Sequence, residues 1–357
     1  MGATWRSLVY DSQLRWLGPE KGVIHMAIGA VVNALWDLKC KRAGLPLWRL
    51  LARTDTGRTR RPRRLPLPDR RLDSRRGTRD PAGWTRWAGA READLLRDGY
   101  PAYTTTPGWL GYDDAKLERL CREAVADGFT SDQAQGRCQP RRRHQKRSRS
   151  RGRRSGQTSP LPSTRTSAGT STSAVTWIAE LSRFDLAWVE EPTSPDDILG
   201  HAAIARRIHP VPVATGEHVA NRVIFKQMLQ AGSLSVLQID ASRVAGVNEN
   251  IAILLLAAKF GVPVCPHAGG VGLCEAVQHL SMFDYVAVSG SPAGRRIEYV
   301  DHLHEHLATP VELRRGRYLA PLASGRWHGD TRRLADQICL SRRCCMVRHR
   351  GAGPLTP

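Results

Sequence analysis

The sequence predicts an α/β fold in which parallel strands and helices alternate to form a barrel. Between Trp177 and Leu319, short apolar segments alternate with longer segments of helical periodicity. Polar residues end four of the short segments at intervals of 27, 23 and 27 residues, a regularity typical of repeated βα units. The chain has 357 residues, which is enough for one large domain or two medium ones with a sizeable core.

Two helices are predicted before this alternation. Residues 22–51 carry apolar side chains at three- and four-residue spacing, with Gly44 as a stop signal near the end. Residues 113–129 follow a glycine-rich turn and carry the same periodicity, with Asp113 or Asp114 as the N-cap. Both segments are expected to pack in the core.

The repeated units predict where functional side chains meet. The strands are LAWVEEP, VPVATGEH, SVLQIDASRV and VPVCPHAGG, and the helices between them are ILGHAAIARRI, RVIFKQMLQAG and NENIAILLLAAKFG. Glu190, Glu217, Asp240 and His267 end the four strands. In a TIM barrel these strand ends converge on one site. Carboxylates at that density favour a hard cation such as Mg²⁺, which offsets their mutual repulsion.

The motifs around these strand ends resemble the enolase superfamily, mandelate racemase group. They are WVEEPTSPDD, ATGEH, QIDASRVAGVNEN and PHAGGVGLCE, and GPEKGVIHMAIGAVVNALWDL, GYPAYTTTPGWLGY and GRYLAP resemble the same group. The resemblance implies an enolase-type modified (β/α)7β TIM barrel with an α+β capping domain, of which the N-terminal part is expected to be truncated.

The resemblance also implies roles for individual residues. It makes Glu190 and Glu217 ligands of a Mg²⁺ cofactor, and it makes His267, oriented by Asp240, the imidazole acid/base. Glu298, in RIEYVDH, is expected to bind near the acid group of the substrate.

Two alternatives apply to these carboxylates. Glu298 equally fits a structural ion pair with Arg295 or Arg296. Glu191, the second acid of the EEP motif, is interpreted as a neighbour of the metal site and not as a ligand.

The implied activity is that of an acid-sugar dehydratase, a hydro-lyase, with L-fuconate as the expected substrate. Such an enzyme removes a proton next to a carboxylate and expels the β-hydroxyl to give a 2-keto-3-deoxy sugar acid, with Mg²⁺ stabilising the enediolate. His267 fits the general acid that assists departure of the hydroxyl. Another dehydratase or a racemase of the same group remains an alternative.

The formal net charge of +21 is confined to three basic islands. Residues 53–80 carry a net +7, residues 131–175 a net +10 and residues 321–357 a net +5, so the remaining chain carries −1. A nucleic-acid-binding arm is the alternative function of another class. The 131–175 island lacks the interleaved aromatics on which single-stranded bases stack, so only non-specific, salt-sensitive binding to nucleic acid is expected.

A frame error in the coding DNA explains the islands better. The family's Lys-x-Lys pair and a ligand Asp are expected within residues 131–175, where neither motif is present. With suitable synonymous codons, DQAQGRCQ read one nucleotide out of frame becomes IKLKVGAN, and SGQTSPLPSTRTSAGTS becomes VGPDIATAVDANQRWDV. Gln133 and Gln135 would then stand at the Lys codons and Thr164 at the Asp codon.

This hypothesis divides the chain into a capping-domain remnant (1–100), a barrel (101–320) and a basic tail (321–357), with 53–80, 131–175 and the tail out of frame. A neutral Gln cannot accept the α-proton, and Thr164 offers no full negative charge to Mg²⁺. The islands also carry too little hydrophobicity to repay their ordering entropy. The chain as printed is therefore predicted to be inactive, and its folding is in question.

Cysteine usage and hydropathy predict the compartment. Eight cysteines occur without a C-x-x-C pair, which favours a reducing environment over a disulfide framework or a zinc site. The first residues lack the apolar run of a signal peptide, and no membrane-spanning segment is expected. The expectation is a cytoplasmic protein that acts on a small-molecule sugar acid, has no membrane partner and is compatible with a homo-oligomer.

Overall fold

Helices and short strands alternate along most of the described chain. A computed structural model describes residues 1–10, 22–54, 81–108, 112–129, 171–184, 186–301, 304, 307 and 309–325. The helices are α1 (Gly2–Tyr10), α2 (Val23–Ala43), α3 (Leu47–Arg53), α4 (Pro81–Asp98), α5 (Asp114–Ala126), α6 (Ser171–Leu181), α7 (Ile198–Ile208), α8 (Arg222–Ala231), α9 (Val247–Phe260) and α10 (Leu273–Phe283). The strands are β1 (Tyr100–Thr104), β2 (Val189–Glu190), β3 (Val213–Thr215), β4 (Val236–Leu237), β5 (Ile297–Tyr299) and β6 (Arg317–Tyr318).

The strands form two arcs of a barrel. In the first, β2, β3 and β4 pair in parallel in that order, and parallel bridges Leu237↔Val264 and Asp240↔His267 add a fourth segment. We call this arc, from Val189 to His267, the carboxylate wall. In the second, β1 pairs in parallel with β5 and antiparallel with β6. We call the arc of β5, β1 and β6 the closing wall. The predicted parallel pairing of successive βα units is thus confirmed.

The predicted helix over residues 22–51 is two helices. Gly44 adopts the left-handed conformation, with φ 63°, and its N–H bonds to the carbonyls of Cys40 and Lys41, so α2 ends at Ala43. Pro46, with φ −66°, is the N-cap of α3, and its extended backbone separates the two helices. In α5, Asp113 is the N-cap, since its carboxylate accepts from the N–H of Lys116 at 2.7 Å.

Helix α2 is held against α9, the helix after β4. The indole N–H of Trp36 donates to Asn248 Oδ1 at 2.9 Å, and Asn33 Oδ1 accepts from the N–H of Val247 at 3.1 Å. Gly29 allows the close approach, because a Cβ there would lie 2.9 Å from the carbonyl oxygen of Val244. These contacts join the segment predicted as capping domain to the barrel.

Among the described residues, α2 is the one helix long and apolar enough to cross a membrane. Its inner side packs in the core through Ile28, Val32 and Trp36. A partly buried core helix meets the same criteria of length and composition. The expectation of no membrane partner therefore stays a prediction.

Helix α1 is anchored by a buried ion pair between α8 and α9. Arg222 donates from Nη1 to Glu249 Oε2 at 2.6 Å, and its backbone N–H donates to Glu249 Oε1 at 2.8 Å. The same guanidinium donates to Tyr10 Oη at 2.6 Å and lies 4.9 Å from the ring centroid of Trp5. One arginine thus ties three helices together.

Parts of the sequence predictions lie outside the described residues. These include most of the first island, residues 131–170 of the second and residues 326–357 of the tail, with Gln133, Gln135 and Thr164. Residues 171–175 of the second island are described, and they form the first turn of α6. Ala174 is buried there against Ile178. Sequence reasoning did not predict α1, α4, α6 or α10.

Candidate active site

A layer of packed side chains lies beneath the strand ends and supports the site. It consists of residues from β1, β3 and β4, the residue before β2 and the segment after α9: Tyr103, Trp188, Ala214, Val236 and Cys265. Tyr103 and Trp188 pack edge to face, with ring centroids 5.5 Å apart and planes at 89°. Because side chains on one face of a strand recur every second residue, the next inward positions fall at the mouth of the barrel.

Asp240 and His267 form a hydrogen-bonded dyad at the mouth. Asp240 Oδ2 lies 3.0 Å from His267 Nδ1, and Asp240 Oδ1 accepts from the N–H groups of Ser242 and Arg243 at 2.7 and 2.9 Å. The parallel bridge between the two residues sets their backbones side by side. The carboxylate is therefore immobilised, and it holds the imidazole ring with Nε2 directed away from the Asp240 pair.

Glu217 reaches this dyad because Gly216 breaks the alternation of β3. Ala214 packs in the barrel interior, so a regular strand would direct the side chain of Glu217 outward. Gly216 has φ 137°, and a Cβ there would lie 2.7 Å from the carbonyl oxygen of Gln238. After this turn of the backbone, Glu217 Oε2 lies 3.6 Å from His267 Nε2.

Glu190 lies in the interior at the end of β2 and is bonded to an amide. The side chain of Gln238 donates from Nε2 to Glu190 Oε2 at 3.0 Å, and both residues are buried. Burial, followed by the charge of Glu217, raises the pKa of Glu190 to about 8. The side-chain NH₂ group of Gln238 opposes the rise in pKa, because its hydrogen bond stabilises the charged carboxylate.

Glu298 is buried on the closing wall and touches the backbone after His267. Glu298 Oε2 accepts from the N–H of Ala268 at 2.5 Å, and its backbone carbonyl accepts from the hydroxyl of Tyr318 at 2.6 Å. Burial raises the pKa of the Glu298 carboxyl above its ordinary value. Arg295 donates instead to Asp284 at 3.0 Å, and Arg296 lies over the ring of Trp188.

The carboxylates around His267 favour its protonated form. Burial alone would lower the pKa of His267, but the hydrogen bond to Asp240, followed by the charges of Glu298 and Glu217, raises it to about 10. The N–H of Gly269 approaches Nε2 at 3.2 Å, which favours the neutral ring. One neutral hydrogen bond is worth about 1 kcal/mol net, less than the combined effect of three carboxylates, so the imidazolium prevails near neutral pH.

Glu191 lies in a carboxylate and imidazole cluster that the sequence did not predict. Ligand atoms of Glu191, Glu217 and His218 lie within 4.8 Å of one another. Glu191 Oε1 is 2.8 Å from His218 Nδ1, and Glu217 Oε1 is 3.4 Å from the same nitrogen. Glu191 has φ 43°, so the backbone reverses after Glu190 and directs the second acid of EEP toward β3. Glu191 therefore lies beside Glu217 as a neighbour of the predicted metal site, and its interpretation as a residue that is not a ligand stays a prediction.

The chemistry of these donors suits a divalent cation. The charge of Glu217 acts on buried Glu190, whose carboxyl holds its proton to about pH 8 without a cation nearby. A hard cation such as Mg²⁺ takes carboxylate oxygens and would offset this repulsion. Imidazole nitrogen is not a preferred Mg²⁺ ligand, and His218 already pairs with Glu191, so Glu190 and Glu217 fit Mg²⁺ better than the Glu191 cluster does.

Several residues of the site were not singled out from the sequence. Gln238 had a signal, because it lies two residues before Asp240 and therefore on the same face of the strand. Gly216 had a weaker one, as a glycine at a strand end. No sequence signal pointed to the Tyr318 hydroxyl, because it bonds to the backbone of Glu298, 20 positions away.

Fold and site define a parallel βα barrel with a carboxylate-rich mouth and an aspartate–histidine dyad. Residues 164–326 match the family model described as enolase C-terminal domain-like. The chain is 46% identical over 338 residues to human mitochondrial enolase superfamily member 1, covering 90% of this chain and 73% of that protein. It is 42% identical over 333 residues to L-galactonate dehydratase of Hypocrea jecorina, covering 91% of this chain and 72% of that protein.

Solved structures agree with this similarity. The crystal structure of human mitochondrial enolase superfamily member 1 superimposes with a TM-score of 0.79 at 43% identity, covering 92% of this chain and 75% of that one. L-talarate dehydratase from Polaromonas sp. JS666, complexed with Mg and L-glucarate, has a TM-score of 0.69 at 24% identity, covering 94% and 78%, and shows the shared fold. The chain belongs to the enolase superfamily, and the predicted fold class, a TIM barrel with a capping domain, is confirmed.

Proposed function

We propose that the chain derives from an acid-sugar dehydratase that acts on L-fuconate or a closely related sugar acid. The observation that carries this proposal is the Asp240–His267 dyad, with Nε2 of the histidine 3.6 Å from Glu217 at the barrel mouth. Relatives named as dehydratases of L-galactonate and of L-talarate and galactarate support the reaction class. L-Fuconate is the 6-deoxy form of L-galactonate, so the two substrates share the carbons at which water is lost.

His267 is the proposed general acid. Its ring is protonated near neutral pH because Asp240, Glu298 and Glu217 outweigh the effect of burial. Asp240 holds Nδ1, so the proton at Nε2 is the one directed at a substrate in the mouth. When the bond between the β-carbon and its hydroxyl breaks, this proton leaves with the oxygen as water.

Glu190 and Glu217 are the proposed Mg²⁺ ligands. The two carboxylates would hold a Mg²⁺ ion, which would supply positive charge to stabilise an enediolate. Glu190 is positioned by Gln238 and Glu217 by the turn at Gly216. The third carboxylate that the resemblance implies falls at Thr164, outside the described residues.

Glu298 is the proposed contact to the acid end of the substrate. Burial raises the pKa of this carboxyl group, which opposes its ionisation next to the acid group of a substrate. Ala268 holds Oε2 and thereby couples the orientation of this carboxyl group to the loop after His267.

We propose the cytoplasm as the compartment. Support comes from Cys265 and Cys274, which are buried and form no disulfide.

Activity assays on two forms of the chain test the proposal. One is the chain as printed, and the other, which we call the restored chain, carries IKLKVGAN and VGPDIATAVDANQRWDV in place of the matching parts of residues 131–175. Each is incubated with Mg²⁺ and L-fuconate, L-galactonate or galactarate, and the 2-keto-3-deoxy product is trapped as its semicarbazone. We expect turnover of L-fuconate by the restored chain and none by the printed chain.

The outcomes separate the alternatives. Turnover of another sugar acid in place of L-fuconate moves the assignment to a different dehydratase of the group. Exchange of the α-proton with solvent without loss of water indicates a racemase. If the restored chain folds and binds Mg²⁺ but transforms none of these acids, the dehydratase assignment fails.

A further inference from the structure

We propose that Gln238 is a positioning residue that fixes the rotation of the Glu190 carboxylate so that it can hold a small divalent cation. This inference rests on the proposed function, because it assumes that Glu190 is a metal ligand. It assigns a role to a residue that neither touches the substrate nor binds the metal.

The position of Gln238 is fixed by its backbone. Its N–H donates to the carbonyl of Thr215 at 3.1 Å, across the pairing between β3 and the segment after β4. Its own carbonyl oxygen lies against Gly216, where a Cβ would come within 2.7 Å. With 1% of its surface exposed, Gln238 has little freedom to choose another rotamer. The amide therefore meets Glu190 at one defined angle.

The surroundings also select which end of the amide faces Glu190. A carboxylate accepts hydrogen bonds and cannot donate them when ionised, so only the NH₂ group of Gln238 can bond to it. At the other end, Gln238 Oε1 is buried with no hydrogen-bond partner among the described residues, and the same holds for the hydroxyl of Tyr103. Gln238 lies close enough to Tyr103 to counteract the rise in the pKa of that phenol.

The choice of a neutral amide has a reason in this setting. Glu190, Glu217 and Glu298 already interact as carboxylates in the barrel mouth. A cationic donor at position 238 would compete with a metal ion for Glu190, and an acidic residue would add repulsion. An amide donates one directional bond without changing the net charge.

The proposed role predicts an effect on metal selectivity. Mg²⁺ demands near-ideal octahedral geometry at short distances, whereas Ca²⁺ accepts flexible geometry and bidentate carboxylates. A carboxylate released from Gln238 can still bind Ca²⁺ in a rotated pose but serves Mg²⁺ poorly. A role limited to packing would weaken the binding of both ions alike.

The test is a calorimetric titration of the full chain, as printed and restored, with Mg²⁺ and with Ca²⁺. Gln238→Met keeps the length of the side chain and removes the donor. Gln238→Asn keeps the amide but withdraws it by one methylene. The control is Gln278→Met, which replaces a buried glutamine of α10 whose amide approaches the carbonyl of Glu275 at 3.5 Å, outside the described site. Circular dichroism establishes that each variant is folded before titration.

We expect both substitutions at Gln238 to weaken Mg²⁺ binding about 10- to 100-fold, the range for residues that orient metal ligands, with a smaller loss for Ca²⁺. Gln278→Met is expected to leave both affinities unchanged. Equal losses for the two ions, or unchanged Mg²⁺ binding in either folded variant of Gln238, overturn the inference and leave the proposed function intact. If the unsubstituted restored chain binds no Mg²⁺, the inference about Gln238 and the proposed function both fail.

Discussion

The two walls of the barrel hold their charged groups in different ways. The carboxylate wall has strands of two or three residues, with Glu190 at the end of β2, Glu217 and Asp240 two and three residues after β3 and β4, and His267 bridged to Asp240. The closing wall contains the five-residue strand β1 and directs one acid, Glu298, toward the site. There the side chain is held by the N–H of Ala268 and the backbone by the hydroxyl of Tyr318.

This contrast teaches how the site combines reactivity with rigidity. On the carboxylate wall, burial and then the charge of Glu217 raise the pKa of Glu190, whereas attraction between the imidazolium and its carboxylate neighbours raises the pKa of His267. On the closing wall, one acid is fixed by neutral donors. The chemical step is therefore expected to depend on the carboxylate wall. The placement of the loop after His267 is expected to depend on the closing wall. The predictions below test that division, in order of expected effect.

The largest effect is expected from His267→Asn in the restored chain. Asparagine can still accept or donate near Asp240, but it cannot deliver a proton, and general acid catalysis is worth about 10²- to 10⁴-fold in rate. Turnover is measured under saturating sugar acid. His201→Asn is the matched control, because His201 is a buried histidine bonded to the carbonyl of Asp197 on α7. A comparable loss in the control would mean that the defect is one of folding.

The next effect is expected from Arg222→Met, which leaves Glu249 buried without its partner. Breaking a buried ion pair by removing one member costs about 3–5 kcal/mol of stability. Chemical denaturation of the full chain measures this loss. Removing both charges, in Arg222→Met with Glu249→Gln, is expected to recover part of it. If the double variant is as unstable as the single one, the loss is due to the packing of the Arg222 side chain and not to the unpaired charge of Glu249.

A third effect follows from the raised pKa of Glu190. Folding raises this pKa from 4.5 to about 8, so the stabilisation is complete below pH 4.5 and is lost as pH rises through about 8. Without divalent cations, stability is expected to fall across that window by a few kcal/mol, since each pKa unit is worth about 1.4 kcal/mol. Thermal melts at a series of pH values, with and without Mg²⁺, measure it. Glu190→Gln should flatten the profile, and an unchanged slope would assign it to another group.

The smallest effect is expected from Tyr318→Phe on the closing wall. It removes the hydroxyl that donates to the backbone of Glu298 and costs about 1 kcal/mol by the usual worth of one hydrogen bond. Chemical denaturation of Tyr318→Phe measures the change in stability, and turnover is measured with the same substitution in the restored chain. We expect a small loss of stability with turnover within a few-fold of the parent. A loss of turnover as large as that of His267→Asn would erase the distinction between the two walls.

Much of this architecture is determined by local sequence. The bounds of α7 coincide with the predicted helix because its apolar periodicity and the cap at Asp197 act within a few residues. The even spacing of the four strand-end residues was sufficient to predict that they lie at one end of the barrel, because parallel strands end on one face. These residues are Glu190, Glu217, Asp240 and His267. Charge composition isolated the basic islands, and the frame hypothesis for them stays a prediction.

Other features of the site were decided by the tertiary structure. Periodicity predicts which face of a strand is buried, but it does not predict where the backbone breaks its own alternation. Gly216 and Glu191 do this through positive φ values, and they bring Glu217 to His267 and Glu191 to His218. Gln238 meets Glu190 across 48 residues of sequence, so that contact depends on strand order and register. Local sequence determines short-range structure, while the contacts that tune a carboxylate arise between distant segments once the barrel has formed.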